Sequence, residues 1–165
     1  MVLPYFSGER TPLFDAQARG LILGLTLSHT RPHLYRAVLE AAAYGVRHHF
    51  DLMAEVGVVP RRLVAVGGGS QSELWTQIVA DVTGQTFACV ERPIGPVLAD
   101  AFLAGRGIGL FGDFRPLTER WVPIGRTVRP ESRATAVYDQ YYGVYRRLYE
   151  RTAEEMHALA RLSAL

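Results

Sequence analysis

The chain has 165 residues and a formal net charge of +2, with 48% hydrophobic and 21% charged residues. This length is typical of one domain, and this composition supports a buried core and excludes an intrinsically disordered chain. All 18 residues of the lysine and arginine class are arginine. Because they are spread along the sequence without a dense basic run, we expect no nucleic-acid partner.

The cysteine content and the hydrophobic segments indicate the cellular compartment. Cys89 is the only cysteine, so an internal disulfide is excluded and we expect a reducing compartment, the cytoplasm. No segment approaches the roughly 18 apolar residues that span a membrane, and the N-terminal residues lack the basic and apolar regions of a signal peptide. We therefore expect no membrane partner.

The first part of the chain predicts a loop, a strand and a long helix. Residues 1–19 contain prolines and glycines that indicate a loop, and residues 21–27 (LILGLTL) predict a short buried strand. A helix is predicted from Arg31, with Thr30 as its N-cap, to about Gly57.

Two further strands alternate with helices. Residues 61–69 predict a strand that ends in glycines, and a capping box of Ser70 and Glu73 predicts the start of the next helix. The remaining predicted elements are a strand over residues 85–91, a helix over residues 97–112, a loop with Trp121, Pro123 and Pro130, and a long helix from about Glu131 to Ala164.

This alternation predicts the fold class. We expect an α/β fold with a small, mainly parallel sheet flanked by helices and closed by the long C-terminal helix. Three strands make a narrow sheet for such a fold. We therefore interpret the chain as the later part of a domain whose first strands lie outside it.

The last helix carries aromatic residues at helical spacing. Tyr138, Tyr141 or Tyr142, Tyr145 and Tyr149 predict a stripe that packs against the core. The alternative is contact with a missing half of the protein or with a second subunit, so a homodimer stays open. The histidines show no spacing typical of metal ligands, and we predict no metal site in the chain.

The sequence VAVGGGSQSELW, residues 64–75, is the main candidate for a ligand site. Gly67, Gly68 and Gly69 follow a predicted strand and precede a predicted helix. Because glycine lacks a Cβ atom, a base or a phosphate can lie against such a backbone, and the first N–H groups of a helix favour an anion. A tight turn without a ligand is the alternative interpretation.

One nucleotide hypothesis is a dinucleotide-binding module of an oxidoreductase. The glycines match its fingerprint as Gly67-x-Gly69-x-x-Ser72, and Glu91 follows at about the distance of the acidic ribose contact, roughly 20 residues on. Serine replaces the third glycine, however. A strand and a helix also precede the motif, whereas this fingerprint usually opens its domain.

Three stretches together resemble the C-terminal part of the FGGY carbohydrate kinases, most of all the xylulokinase-like members. They are LPYFSGERTPLFDAQARG (3–20), GLILGLTLSHTRPHLYRAVLEA (20–41), and VGGGSQSELWTQIVADVTGQ (66–85), which is followed by PVLADAFLAGRGIGLF (96–111). The resemblance covers nearly the whole chain and is weakest after residue 125.

The resemblance implies a two-domain kinase of the actin/hexokinase (ribonuclease H-like) type. Residues 1–165 would be its C-terminal nucleotide-binding domain, and ATP with Mg²⁺ its cofactor. Gly67 and Gly68 would lie against the adenosine and the α-phosphate, with Gly69 in the same turn. Ser72 occupies the position near the adenine where relatives often carry asparagine or serine.

The resemblance also implies what the chain lacks. The sugar substrate would be bound mainly by an N-terminal half, and the general-base carboxylate would precede this region, so we assign no catalytic residue. We expect the full-length kinase to phosphorylate a pentulose such as xylulose, or a related sugar, and this chain alone to be inactive. A non-catalytic interaction domain with the kinase fold is a third hypothesis.

Overall fold

The computed structural model describes residues 1–91 and 96–163. Its strands and α-helices are, in chain order, β1 (Val2–Leu3), β2 (Leu21–Ile22), α1 (Arg31–Glu55), β3 (Leu63–Ala65), α2 (Glu73–Thr83), β4 (Phe87–Val90), α3 (Pro96–Gly107), β5 (Ile124–Val128) and α4 (Ser132–Leu162). A 3-10 turn at Gly68–Gln71 and a π-helical turn at Leu117–Trp121 lie between them. None of the helices in these two ranges is long and apolar enough to cross a bilayer.

β3, β4 and β5 form a three-stranded sheet with β4 in the centre. β3 runs parallel to β4, with Leu63 opposite Phe87, whereas β5 runs antiparallel to β4, with Val128 opposite Phe87. The predicted α/β class, with a small sheet and a long C-terminal helix, is confirmed. The predicted parallel direction holds for β3 and β4 only.

β5 lies where the sequence analysis predicted a loop, and that prediction was wrong. Prolines near the segment and a glycine inside it are loop signals when the sequence is considered alone. Gly125 instead allows a close tertiary contact, because a Cβ atom there would lie 3.0 Å from the Cα of Glu91. The pairing shifts register between Cys89 and Val90, which is typical of a β-bulge.

The N-terminal segment is also more ordered than predicted. Val2–Leu3 forms β1 and pairs antiparallel with Leu21–Ile22, so residues 1–19 are not a loop throughout. β2 is shorter than the predicted strand over residues 21–27, and the backbone turns at Gly24, whose φ is +82°. A ladder of two residues is too short to produce a period-two pattern in the sequence.

Most helix bounds agree with the sequence. α1 begins at Arg31 as predicted, and the backbone N–H of Thr30 donates to Nδ1 of His33 at 3.1 Å. It ends just before Gly57, whose φ of +76° is typical of a residue that terminates a helix. α3 is shorter than predicted and ends at Gly107. α4 matches its prediction, although Ala164 lies outside the described residues.

The buried face of α4 is mainly aromatic. Tyr138, Tyr142 and Tyr145 are buried, and Tyr149 packs against the same core. The predicted stripe is therefore confirmed at these four positions, whereas Tyr141 is 54% exposed. The stripe packs against α1 and α2 and against the N-terminal segment, which makes α4 the element that joins the parts of the fold.

Two polar links attach the N-terminal segment to α4. The hydroxyls of Tyr5 and Tyr145 lie 2.8 Å apart, and both side chains are buried. Burial raises the pKa of each phenol, so both stay protonated and the pair shares one hydrogen bond. Nearby, Asp15 accepts from Oη of Tyr149 and from Nε2 of His157, both at 2.7 Å.

A second core lies between the sheet and the helices. It contains Phe87, Cys89 and Val128 from the sheet and Ala80 from α2. The opposite face of β3 is less covered, since Val64 is 41% exposed. β3, the strand that leads into the glycines, is therefore packed mainly on its helix-facing side.

The Tyr5–Tyr145 pair gives a test of this arrangement. Either Tyr5→Phe or Tyr145→Phe leaves one buried hydroxyl without a partner, so we expect each to lower the free energy of unfolding by about 1–3 kcal/mol. The double variant leaves no hydroxyl unpaired and should cost less than the sum of the two. Urea unfolding followed by circular dichroism measures all three, and strictly additive costs would contradict the pairing.

Candidate functional site

The three glycines connect β3 to α2, as the sequence predicts. β3 ends at Ala65, the 3-10 turn begins at Gly68, and α2 begins at Glu73. We refer to residues 67–72 as the glycine turn. It follows the carboxyl end of a strand in a parallel pair, which is where open α/β sheets bind ligands.

The three glycines are present for different reasons. Gly67 has φ +82° and ψ −177°, a conformation that is essentially restricted to glycine. A Cβ atom on Gly69 would overlap the ring of Trp75. A Cβ atom on Gly68 would meet no heavy atom of the described residues within 4 Å, and the φ of Gly68 is not positive. The described part of the chain therefore explains glycine at positions 67 and 69 but not at position 68, which is exposed.

The cap of α2 is Ser72, which corrects the predicted capping box at Ser70. Oγ of Ser72 accepts from the backbone N–H of Trp75 at 3.3 Å. Ser70 is buried, and its Oγ donates to the carbonyl of Gly67 at 2.7 Å. The prediction failed because the 3-10 turn delays the start of the helix. Ser72 is exposed, and its hydroxyl proton is free to donate to another group.

Arg126 of β5 contacts both the glycine turn and α2. One Nη donates to the carbonyl of Ser70 at 3.0 Å and to Oγ1 of Thr76 at 2.9 Å. Arg126 is not among the residues predicted from the sequence, because the sequence predicts a loop here. No local pattern distinguishes Arg126 from the other arginines of the chain.

Two further bonds hold α2 to the segment after β5. Asp81 is buried and accepts from Nε2 of Gln77 and from the backbone N–H of Glu131, both at 2.8 Å. Gln77 also donates to the carbonyl of Arg129 at 3.0 Å. Together with Arg126, these contacts hold both halves of α2 against β5 and the start of α4.

The geometry does not favour the dinucleotide hypothesis. α2 begins at Glu73, after all three fingerprint positions, whereas in that fold the helix opens within the fingerprint. Glu91, the candidate ribose contact, follows β4 and is exposed, and its backbone N–H donates to the carbonyl of Pro123 at 2.9 Å.

The groups of the glycine turn that can contact a ligand are neutral. Residues 67–72 carry no carboxylate, so the turn interacts with a ligand through backbone groups and hydroxyls. Among the described side chains of residues 1–91 and 96–163, no three of histidine, cysteine, aspartate or glutamate lie close enough to hold a metal. A cation at this site would therefore depend on ligands from outside these ranges, such as phosphate oxygens.

Comparison with known proteins establishes the family. The model of the FGGY family of carbohydrate kinases, C-terminal domain, matches residues 1–106. This chain belongs to that family. The resemblance inferred from the three sequence motifs is thereby confirmed. The match includes the glycine turn and α2, whereas β5 and α4 lie beyond it.

The relatives of this FGGY chain are longer proteins. The xylulose kinase of Staphylococcus epidermidis is 32% identical over 151 residues, which cover 92% of this chain and 30% of that protein. The xylulose kinase of Escherichia coli is 35% identical over 149 residues, which cover 90% of this chain and 31% of that protein. This chain thus spans about 30% of the length of these relatives.

Solved structures agree with the FGGY fold. The crystal structure of xylulose kinase from Rhodospirillum rubrum matches 95% of this chain and 31% of its own, with 36% identity and a TM-score of 0.80. A glycerol kinase from Plasmodium falciparum has a TM-score of 0.75 at 20% identity, which supports the fold alone. The predicted actin/hexokinase-type fold is confirmed.

The distinct roles of the glycines predict distinct effects on stability. Gly69→Ala forces the ring of Trp75 to move, so we expect a loss of about 1–3 kcal/mol. Gly68→Ala is the matched control, with open space and an ordinary φ, and should change stability by less than about 1 kcal/mol. Thermal and urea unfolding compare the two. Equal losses would contradict the assignment of Trp75 as the neighbour that requires Gly69.

Proposed function

We propose that residues 1–165 are the C-terminal nucleotide-binding domain of a carbohydrate kinase. The full-length enzyme would transfer the terminal phosphoryl group of ATP to a sugar hydroxyl. Family membership supports the reaction class, and the xylulose kinases among the relatives support a pentulose such as xylulose as acceptor. The single-cysteine composition supports the cytoplasm as the compartment.

The main support for the nucleotide proposal is the glycine at position 68. The described residues explain glycine at positions 67 and 69, whereas a Cβ atom at position 68 would contact none of them, and the φ of Gly68 is not positive. A flat or charged group that lies directly on the backbone is a reason for glycine that does not depend on the fold. We therefore assign Gly68 to contact with the nucleotide.

The other turn residues take complementary roles in this proposal. Gly67 supplies the sharp change of direction and lies with Gly68 against the adenosine and the α-phosphate. Gly69 leaves room for the ring of Trp75, which packs against the turn at this position. Ser72 accepts its helix N–H and has one proton to donate, so it makes one contact with the adenine edge, where asparagine would make two.

The remaining catalytic groups are assigned to an upstream segment outside these 165 residues. Phosphoryl transfer depends on Mg²⁺, on groups around the γ-phosphate and on a residue that orients the attacking hydroxyl. We propose that an upstream sugar-binding domain supplies the general-base carboxylate and the sugar contacts. In this proposal Mg²⁺ arrives with the phosphates of ATP, since the glycine turn carries no carboxylate.

Nucleotide titration tests the site directly. We expect Mg²⁺-ADP to bind this chain and the Gly68→Asp variant to weaken binding at least about tenfold, which is 1.4 kcal/mol, because its carboxylate occupies the ligand position and repels phosphate. Gly107→Asp is the matched control, since Gly107 is also exposed with open space around it. Isothermal titration calorimetry measures each affinity.

The same titration with NAD addresses the dinucleotide hypothesis. Binding of NAD without a response to ADP would overturn the kinase assignment of the glycine turn. Equal loss of ADP affinity in Gly68→Asp and Gly107→Asp would instead show that the nucleotide does not bind at position 68.

Activity measurements test the division of the enzyme. We expect no phosphorylation of xylulose by the purified 165-residue chain and ATP-dependent phosphorylation once the upstream domain is present in the same polypeptide. A coupled assay for ADP release measures both, with glycerol and gluconate as alternative acceptors. Turnover by this chain alone would contradict the proposal, and inactivity of the longer polypeptide would favour an interaction domain. The mass of that polypeptide in solution tests the homodimer.

A further inference from the structure

We propose that Arg126 is a positioning residue for nucleotide binding: its guanidinium links β5 to the glycine turn and holds the turn in the shape that receives the nucleotide. This inference rests on the function proposed above and extends it to a strand that lies outside the residues matched by the family model. Arg126 does not need to touch the nucleotide, because it acts through Ser70 and Thr76.

The register of β5 directs Arg126 toward the helices. Arg126 lies opposite Cys89 in the antiparallel pairing of β4 and β5, and residues directly opposite one another project from the same face of a sheet. Cys89 is 1% exposed and packs in the core that includes Ala80 of α2. The side chain of Arg126 is therefore directed into the layer between the sheet and α2, beneath the glycine turn.

Ser70 transmits the contact to the glycines. Its carbonyl accepts from Arg126, while its Oγ and its backbone N–H both donate to the carbonyl of Gly67, at 2.7 and 3.2 Å. A displacement of Ser70 would therefore change the backbone at Gly67. The guanidinium lies two hydrogen bonds away from the first glycine of the turn.

Thr76 transmits the contact to the other side of the turn. Its Oγ1 accepts from Arg126 at 2.9 Å and donates to the carbonyl of Ser72 at 2.9 Å. Arg126 thus holds the turn before and after Gln71 with one nitrogen. A planar guanidinium can satisfy two acceptors in fixed directions, whereas an ammonium on a flexible stem is less well suited to do so.

Arg126 also places a positive charge next to the glycine turn. The side chain is partly buried, and within the described parts of the chain no carboxylate lies within ion-pair distance of it. Burial of a cation that has no counter-ion costs free energy. An anionic ligand on the glycine turn would reduce that cost, so the proposed nucleotide and this arginine stabilise each other.

Hydrogen exchange tests the link without any ligand. In Arg126→Gln, the amides of Ser70 and Ser72, which bond to Gly67 and Gly69, should exchange at least about tenfold faster than in the wild-type chain. Amides in the middle of α4 should be unchanged. Arg129→Gln is the matched control, because Arg129 is exposed and the variant loses the same charge. Unchanged exchange in Arg126→Gln would overturn the proposal.

Nucleotide affinity tests the consequence in the polypeptide that contains the upstream domain. We expect Arg126→Gln to raise KM for ATP at least about fivefold with little change in kcat, and Arg129→Gln to change neither. Arg126→Lys keeps the charge and is the variant to measure if Arg126→Gln does not fold. It should show faster exchange and a raised KM because it loses the paired contact.

The outcomes separate the two proposals. Faster exchange with an unchanged KM for ATP would overturn the positioning role while leaving the nucleotide site intact. Absence of nucleotide binding by the wild-type polypeptide would overturn the proposed function itself. An unchanged KM and unchanged exchange in Arg126→Lys, with losses only in Arg126→Gln, would show that charge rather than geometry matters, and would also overturn the positioning role.

Discussion

The tyrosine stripe of α4 is the packing interaction on which the rest of the structure depends. Each tyrosine supplies a large apolar ring together with a hydroxyl that requires a partner when it is buried. The ring of Tyr44 on α1 lies 5.1 Å from that of Tyr145, and the hydroxyl of Tyr145 is paired with Tyr5 from the N-terminal segment. The stripe therefore joins elements that are far apart in the sequence, and it specifies their positions through hydrogen bonds as well as through buried area.

The glycine turn is held on a framework that this packing creates. α2 packs against α1 and α4, and its first residues carry the turn. Asp81 and Gln77 fasten the middle of α2 to the segment between β5 and α4, and Arg126 holds its first turn to β5. A ligand site made of backbone groups needs such support, because glycines lose more conformational entropy on ordering than any other residue.

The position of the glycine turn was predicted correctly, and its internal structure was corrected. The run of glycines between a strand and a helix is a local pattern, and it lies where the sequence indicates. The separate roles of the glycines are not local: the ring of Trp75, six residues further on, explains Gly69, whereas no described residue explains Gly68. The exchange of roles between Ser70 and Ser72 comes from the 3-10 turn, in which the hydroxyl of Ser70 donates to the carbonyl of Gly67. The hydroxyl of Ser72 instead accepts from the helix N–H of Trp75.

The sequence by itself determined the family, the order of most elements and the place of the glycine turn, because these depend on short motifs and on periodicity that helices and caps express locally. Only the tertiary structure decided that residues 124–128 form an antiparallel strand, that Tyr141 alone of its stripe faces solvent, and that Arg126 contacts the turn. The strand and the arginine contact depend on partners tens of residues away: β5 forms because β4 offers it an edge, and Arg126 has a role because that pairing directs it toward α2. Such long-range contacts leave no pattern in the few residues on either side.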